Sequence, residues 1–84
     1  MKIMKIKQQI AISDTGFLFN PSTGESFTVN PVGAEILAML RDGKPEDQIL
    51  ETVTETYAVE KKTAEKDLHE FAGMLKMFQI IDKE

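Results

Sequence analysis

The chain has 84 residues and a mass of 9.5 kDa, the size of one small domain. Hydrophobic residues make up 42% and charged residues 29%, and ten basic against fourteen acidic residues give a net charge of −4. That mixture excludes a disordered chain and argues against nucleic-acid binding, which asks for a basic face. Area scaling leaves roughly 5,000 Å² exposed of roughly 14,000 Å² in the unfolded chain, so a core is possible but thin. Cysteine is absent, which removes disulfides, thiolate zinc sites and a cysteine nucleophile. No apolar run approaches the roughly 20 residues of a membrane span. The N-terminal Met1–Lys7 is basic but lacks the apolar stretch of a signal peptide, and the chain is read as cytoplasmic.

Charge and pattern change together. Residues 1–30 carry Lys2, Lys5 and Lys7 against Asp14 and Glu25; residues 31–84 carry seven basic and twelve acidic side chains. Strands are expected over about residues 5–29 and helices over about 31–78, with no linker between them, in a single domain spanning 1–84. The fold class is α+β: a three-stranded antiparallel meander followed by a three-helix bundle.

Ile6, Ile10 and Ile12 share one parity and Lys5, Lys7 and Gln9 the other, the alternation of a half-buried strand. Gln8 interrupts the apolar face. Ser13-Asp14-Thr15-Gly16 supplies a turn, Phe17–Asn20 a second strand, Asn20–Gly24 a second turn, and Glu25–Val29 a third strand. Asn30-Pro31 opens a helix, because Asn caps free N–H groups and Pro suits the first helical position. Val32, Ile36, Leu37 and Leu40 form its buried stripe, and Asp42-Gly43 ends it. Pro45 opens a second helix bearing Ile49, Leu50, Val53 and Tyr57. A third runs from about Glu60 to Met77, with Ala64, Leu68, Phe71, Leu75 and Phe78 at helical spacing. Ile80-Ile81 reads as a strand fragment.

Catalytic constellations are missing. The only histidine, His69, lies about 100° round the third helix from Leu68 and reads as a surface residue. A metal site would need further ligands. The five glycines are scattered, so there is no phosphate loop, and no serine sits in a nucleophile elbow. The chain is therefore expected to be no enzyme and to need no cofactor or metal. Met74 and Met77 flank the stripe of the third helix, where they either fill the core or line an adaptable groove.

The strands differ at their edges. Lysine blunts an exposed edge against pairing, and the first strand carries Lys5 and Lys7. Glu25-Ser26-Phe27-Thr28-Val29 has one charge, at its start, and no proline. It can accept an added strand, unless a loop, the C-terminal tail or a second copy covers it.

Several segments taken together resemble the pyrroloquinoline quinone biosynthesis protein D (PqqD) family. They are Gly16–Pro21, Thr23–Asn30, Gly33–Leu37 and Asp42-Gly43, then Tyr57, Ala64, Asp67-Leu68, Phe71 and Leu75. The resemblance covers about residues 6–82. One departure is Gln79, where the family usually has glycine; it bears on the cap of the third helix.

The resemblance implies a winged-helix-like arrangement and a non-catalytic role as a recognition element for ribosomally made, post-translationally modified peptides. Such a domain holds a precursor's leader segment and presents the precursor to a modifying enzyme, often a radical S-adenosylmethionine (SAM) enzyme. Carried over by position, the peptide-binding candidates are Ser26, Phe27, Thr28 and Val29 on the third strand. On the third helix they are Lys66, Asp67, Glu70, Phe71 and Met74. Alternation sends only one parity of the strand toward a groove, and the sequence leaves the parity open. The rival reading is a winged-helix DNA-binding or transcription-regulating module, against which stands a third helix of balanced charge without arginine. No nucleic-acid or membrane partner is expected, and the chain is read as a monomer or homodimer.

Overall fold

The structure, a computed structural model, describes residues 4–82; the two ends of the expected 1–84 domain, residues 1–3 and 83–84, lie outside the described residues. Its elements follow the predicted order. Three strands, β1 (Ala11–Ile12), β2 (Phe17–Asn20) and β3 (Glu25–Thr28), precede three helices, α1 (Pro31–Arg41), α2 (Glu46–Tyr57) and α3 (Lys61–Met77). The sheet is antiparallel in the order β1-β2-β3, as the two short turns require. At the first turn Gly16 takes φ +90°, and a Cβ there would lie 2.9 Å from the Val29 carbonyl oxygen. Only glycine satisfies both demands.

The first strand is shorter than expected. The alternation of Ile6, Ile10 and Ile12 predicts a strand from about residue 5, but only Ala11 and Ile12 pair with β2, opposite Phe19 and Leu18. A turn at Gln8-Gln9, closed by Ile10 N–H donating to the Lys7 carbonyl at 3.1 Å, breaks the run. Ile6 pairs instead with Ile81 in an isolated antiparallel bridge, and Lys7 N–H donates to the Ile80 carbonyl. The expected Ile80-Ile81 fragment is thus the partner of the N-terminal segment.

Helix signals hold where their chemistry is local. The Asn30 side chain accepts from Gly33 N–H at 2.8 Å, with Pro31 in the first turn. Gly43 (φ +80°) closes α1 through Gly43 N–H to Leu40 O and Lys44 N–H to Met39 O, the paired bonds of a Schellman cap. Pro45 precedes α2, and Glu46 and Asp47 occupy its first turn, where negative charge meets the helix dipole.

The core lies between the helices and one face of the sheet. Leu18, Leu37, Ile49, Leu75, Ile80 and Ile81 are fully buried in it. The opposite face is open, with Phe17 45% and Phe19 38% exposed. No described helix is long and apolar enough to cross a membrane.

Candidate functional site

The register of the sheet decides which backbone groups of β3 are free. Leu18 pairs with Phe27, Phe19 with Ser26 and Phe17 with Thr28, and Val29 N–H donates to the Gly16 carbonyl at 2.9 Å. Hydrogen-bonded and non-bonded pairs alternate in an antiparallel ladder. Gly16–Val29 and Leu18–Phe27 are therefore bonded pairs. Ser26 and Thr28 turn their N–H and C=O away from β2, toward the open edge. Among the described residues no backbone hydrogen bond outside the ladder reaches either of them. The sequence could not supply this parity; the register does.

Side chains follow the same alternation. Ser26 and Thr28 are exposed, on the face that carries Phe17 and Phe19. Phe27 and Val29 are half-buried on the inner face and pack against the core. Val29 is enclosed locally, since a Cβ built on Gly16 or Gly33 would lie 3.0 Å from its side-chain atoms. Phe27 meets Phe78, just past the end of α3, with ring centroids 5.0 Å apart. Asn20, 1% exposed, tightens the same junction. Its Nδ2 donates to the carbonyls of Phe78 and Gln79 at 3.3 and 3.4 Å, and its Oδ1 accepts from Ser22 N–H.

The five candidates on α3 do not share a face. At 100° per residue, Asp67, Phe71 and Met74 lie on one flank, within about 120° of Leu68. Phe78, just past the helix, falls on that same side, and its contact with Phe27 brings the C-terminal end of this flank against β3. Phe71 and Met74 are half-buried there, while Asp67 is exposed. Lys66 and Glu70 lie about 160° from Leu68, on the side away from the core, and both are exposed. Glu70 is the nearer to Met74 and forms a rim. No ion pair joins Lys66, Asp67 or Glu70 to another side chain among the described residues. Met74 thus packs on the core while half-exposed, whereas Met77 is 72% exposed.

The Tyr57 hydroxyl donates to Glu35 Oε2 at 2.6 Å, joining α2 to α1. That hydrogen bond, with burial and the negative charge of Glu35, holds the phenol pKa above its ordinary 10.0. His69 is exposed, as expected, and no group of three or more His, Asp or Glu residues able to hold a metal occurs among the described residues. What the geometry provides is an open strand edge beside an apolar helix flank, an arrangement suited to an extended chain.

The family described as Coenzyme PQQ synthesis protein D (PqqD) matches residues 15–81. The chain belongs to the PqqD family. Among solved structures, "TbiB1 in Complex with the TbiA(beta) Leader Peptide" superimposes with a TM-score of 0.87 at 28% identity. The match covers 96% of this chain and 98% of TbiB1. No curated protein matches. PqqD membership and this likeness agree with the observed order of three antiparallel strands and three helices.

Two residues that shape this junction, Phe78 and Asn20, are not among the site candidates that the sequence names. Phe78 is legible as part of the α3 stripe, and projecting it onto the flank of Phe71 and Met74 would have placed it in the groove. Asn20 reads as a turn residue. Its signal is its parity, two residues after Leu18 on the buried face of β2.

Proposed function

We propose that this chain is a non-catalytic recognition module for the leader segment of a ribosomally made precursor peptide. The leader adds a strand to β3 and lies along the flank of α3, and the module presents the precursor to a modifying enzyme, of the radical SAM class. The observation that carries this reading is the open edge at Ser26 and Thr28, whose N–H and C=O groups face away from β2. It is supported by PqqD family membership and by the leader peptide in the TbiB1 complex.

The mechanism is one of holding. Main-chain hydrogen bonds from Ser26 and Thr28 give affinity tolerant of peptide sequence, and the apolar wall of Phe27, Phe71 and Met74 selects side chains. Asp67 and Glu70 add negative charge to that wall and its rim, and Lys66 stands farther out. Tethering raises the substrate's effective concentration at the enzyme without any bond made or broken here.

Co-expression with a candidate precursor peptide of this chain's own pathway tests the reading. The precursor is expected to co-purify with this chain through its leader, and a truncated form lacking the leader is not. Retention of the leaderless form would contradict the proposal.

A further inference from the structure

The other edge of the sheet is open as well. Ser13 N–H donates to the Phe17 carbonyl at 2.9 Å. Ser13–Phe17 and Ala11–Phe19 are therefore the bonded pairs between β1 and β2, and Ile12 opposite Leu18 is not one. The N–H and C=O of Ile12 point away from the sheet. Among the described residues no backbone hydrogen bond outside the ladder reaches them.

Ile12 also lines a groove of ≈ 390 Å³ between the N-terminal segment and the end of α1. The groove is aliphatic inside, with buried Ile10 and Leu40 and half-buried Ile6 and Ile12. Its cations are exposed Lys5 and Arg41 and half-buried Lys7, and none of its lining residues is acidic. Lys7 Nζ stands 4.0 Å from Asp82 Oδ1, a long ion pair, and no ion pair engages Lys5 or Arg41 among the described residues. The helix dipole explains a cation at Arg41, in the last turn of α1. It does not explain Lys5 and Lys7, in a chain whose net charge is −4. These lysines do not lie on the paired part of β1, as the sequence suggests; they stand before it, where they set the charge of the groove.

We infer that the β1 edge and this groove form a second docking site, for an extended acidic segment of a partner protein that carries leucine or isoleucine side chains. Charge names the occupant. A second copy of this chain would bring another basic rim onto the edge, and like charges across an interface are costly. Lysine at an edge bars neutral and basic strands, and an acidic strand meets no such barrier. The backbone of Ile12 pairs with the segment, the aliphatic interior takes its side chains, and Lys5, Lys7 and Arg41 select its charge. The order β1-β2-β3 puts this site on the edge opposite β3. It does not depend on the leader reading, and both edges can be filled together.

The test is an NMR titration of the isotope-labelled chain with capped hexapeptides that alternate leucine with aspartate, asparagine or lysine. The aspartate peptide is expected to shift the amides of Lys5, Ile12 and Arg41. It is expected to bind about tenfold more tightly than the asparagine peptide, the combined effect of a few exposed ion pairs, and to lose that margin at high salt. The lysine peptide is expected to leave these amides unmoved. Lys5→Glu combined with Arg41→Glu is expected to reverse the preference; both positions are exposed, and the amide spectrum checks the fold. Equal affinity for the aspartate peptide and either control, shifts at Lys5 and Arg41 with Ile12 silent, or shifts confined to Ser26 and Thr28 would overturn the inference. None of the peptides carries a leader sequence, so failure here leaves strand addition at β3 standing, and failure at β3 leaves this result standing.

Discussion

The ring of Phe27 on β3 packs against the ring of Phe78 just past the end of α3, with centroids 5.0 Å apart and planes tilted by 44°. The contact joins β3 to the end of α3, and tilted aromatic pairs are favourable beyond the area they bury. Both rings are half-buried. Phe78→Ala is expected to cost roughly 2–3 kcal/mol, less than the loss of a fully buried aromatic because the ring is half-buried, and to weaken peptide binding by loosening β3 from the end of α3. Chemical denaturation checks the first part; a midpoint equal to the parent's would show that the contact contributes nothing.

The end of α3 holds a residue in an unfavourable conformation. Gln79 takes φ +61°, with Gln79 N–H bonded to the Lys76 carbonyl and Ile80 N–H to the Leu75 carbonyl. This is the cap that Gly43 makes for α1, built here without glycine. A left-handed side-chain-bearing residue costs about 1–2 kcal/mol, partly offset because glycine has the freer unfolded chain. Gln79→Gly is expected to gain about 0.5–1 kcal/mol, and Gln79→Val to lose stability. Thermal melts of the two variants check the order.

Tyr57 and Glu35 give stability a pH dependence at the alkaline end. The folded chain raises the phenol pKa above 10.0, first through the hydrogen bond to Glu35, then through burial and the carboxylate charge. The native state therefore keeps this proton to higher pH than the unfolded chain does. The resulting stability is fully present below pH 10 and is lost as pH rises through the folded-state pKa. Tyr57→Phe is expected to lack this decline. Melting temperatures of the two proteins, followed upward through pH 10, should converge; parallel curves would contradict the assignment.

Much of this was legible in the chain, and the failures have physical causes. Asn30-Pro31, Gly43 and the stripe of Leu68 and Leu75 act through neighbours within a turn or two, so their signals survive reading in isolation. The break at Gln8-Gln9 does not show, because Ile6, Ile10 and Ile12 keep one parity across the turn and Ile6 finds its partner at Ile81, far along the chain. At the candidate site, spacing names Asp67, Phe71 and Met74 together with Lys66 and Glu70. Only the contact between Phe27 and Phe78 shows which flank borders the strand. The parity of β3 is likewise fixed by pairing, through Val29 N–H and the Gly16 carbonyl, and not by composition.

That parity makes neighbouring proline substitutions behave differently. Thr28→Pro removes an N–H that faces the open edge, so the fold is expected to persist while peptide affinity falls roughly tenfold, the loss of about 1.4 kcal/mol. Phe27→Pro removes an N–H that belongs to the bond with Leu18, and the sheet itself is expected to weaken. Circular dichroism and calorimetric titration on both variants separate the outcomes. Equal unfolding of the two would show that the edge is assigned to the wrong residues.

Hydrogen exchange at β3 tests the central claim most directly. Isotope-labelled protein is followed with and without the leader of a candidate precursor peptide of its own pathway. The account predicts that the amides of Ser26 and Thr28 become protected when the peptide binds. The amides of Phe27 and Val29, already bonded to Leu18 and Gly16, keep the protection they have. Binding that leaves Ser26 and Thr28 unprotected, or that protects β1 alone, would contradict it.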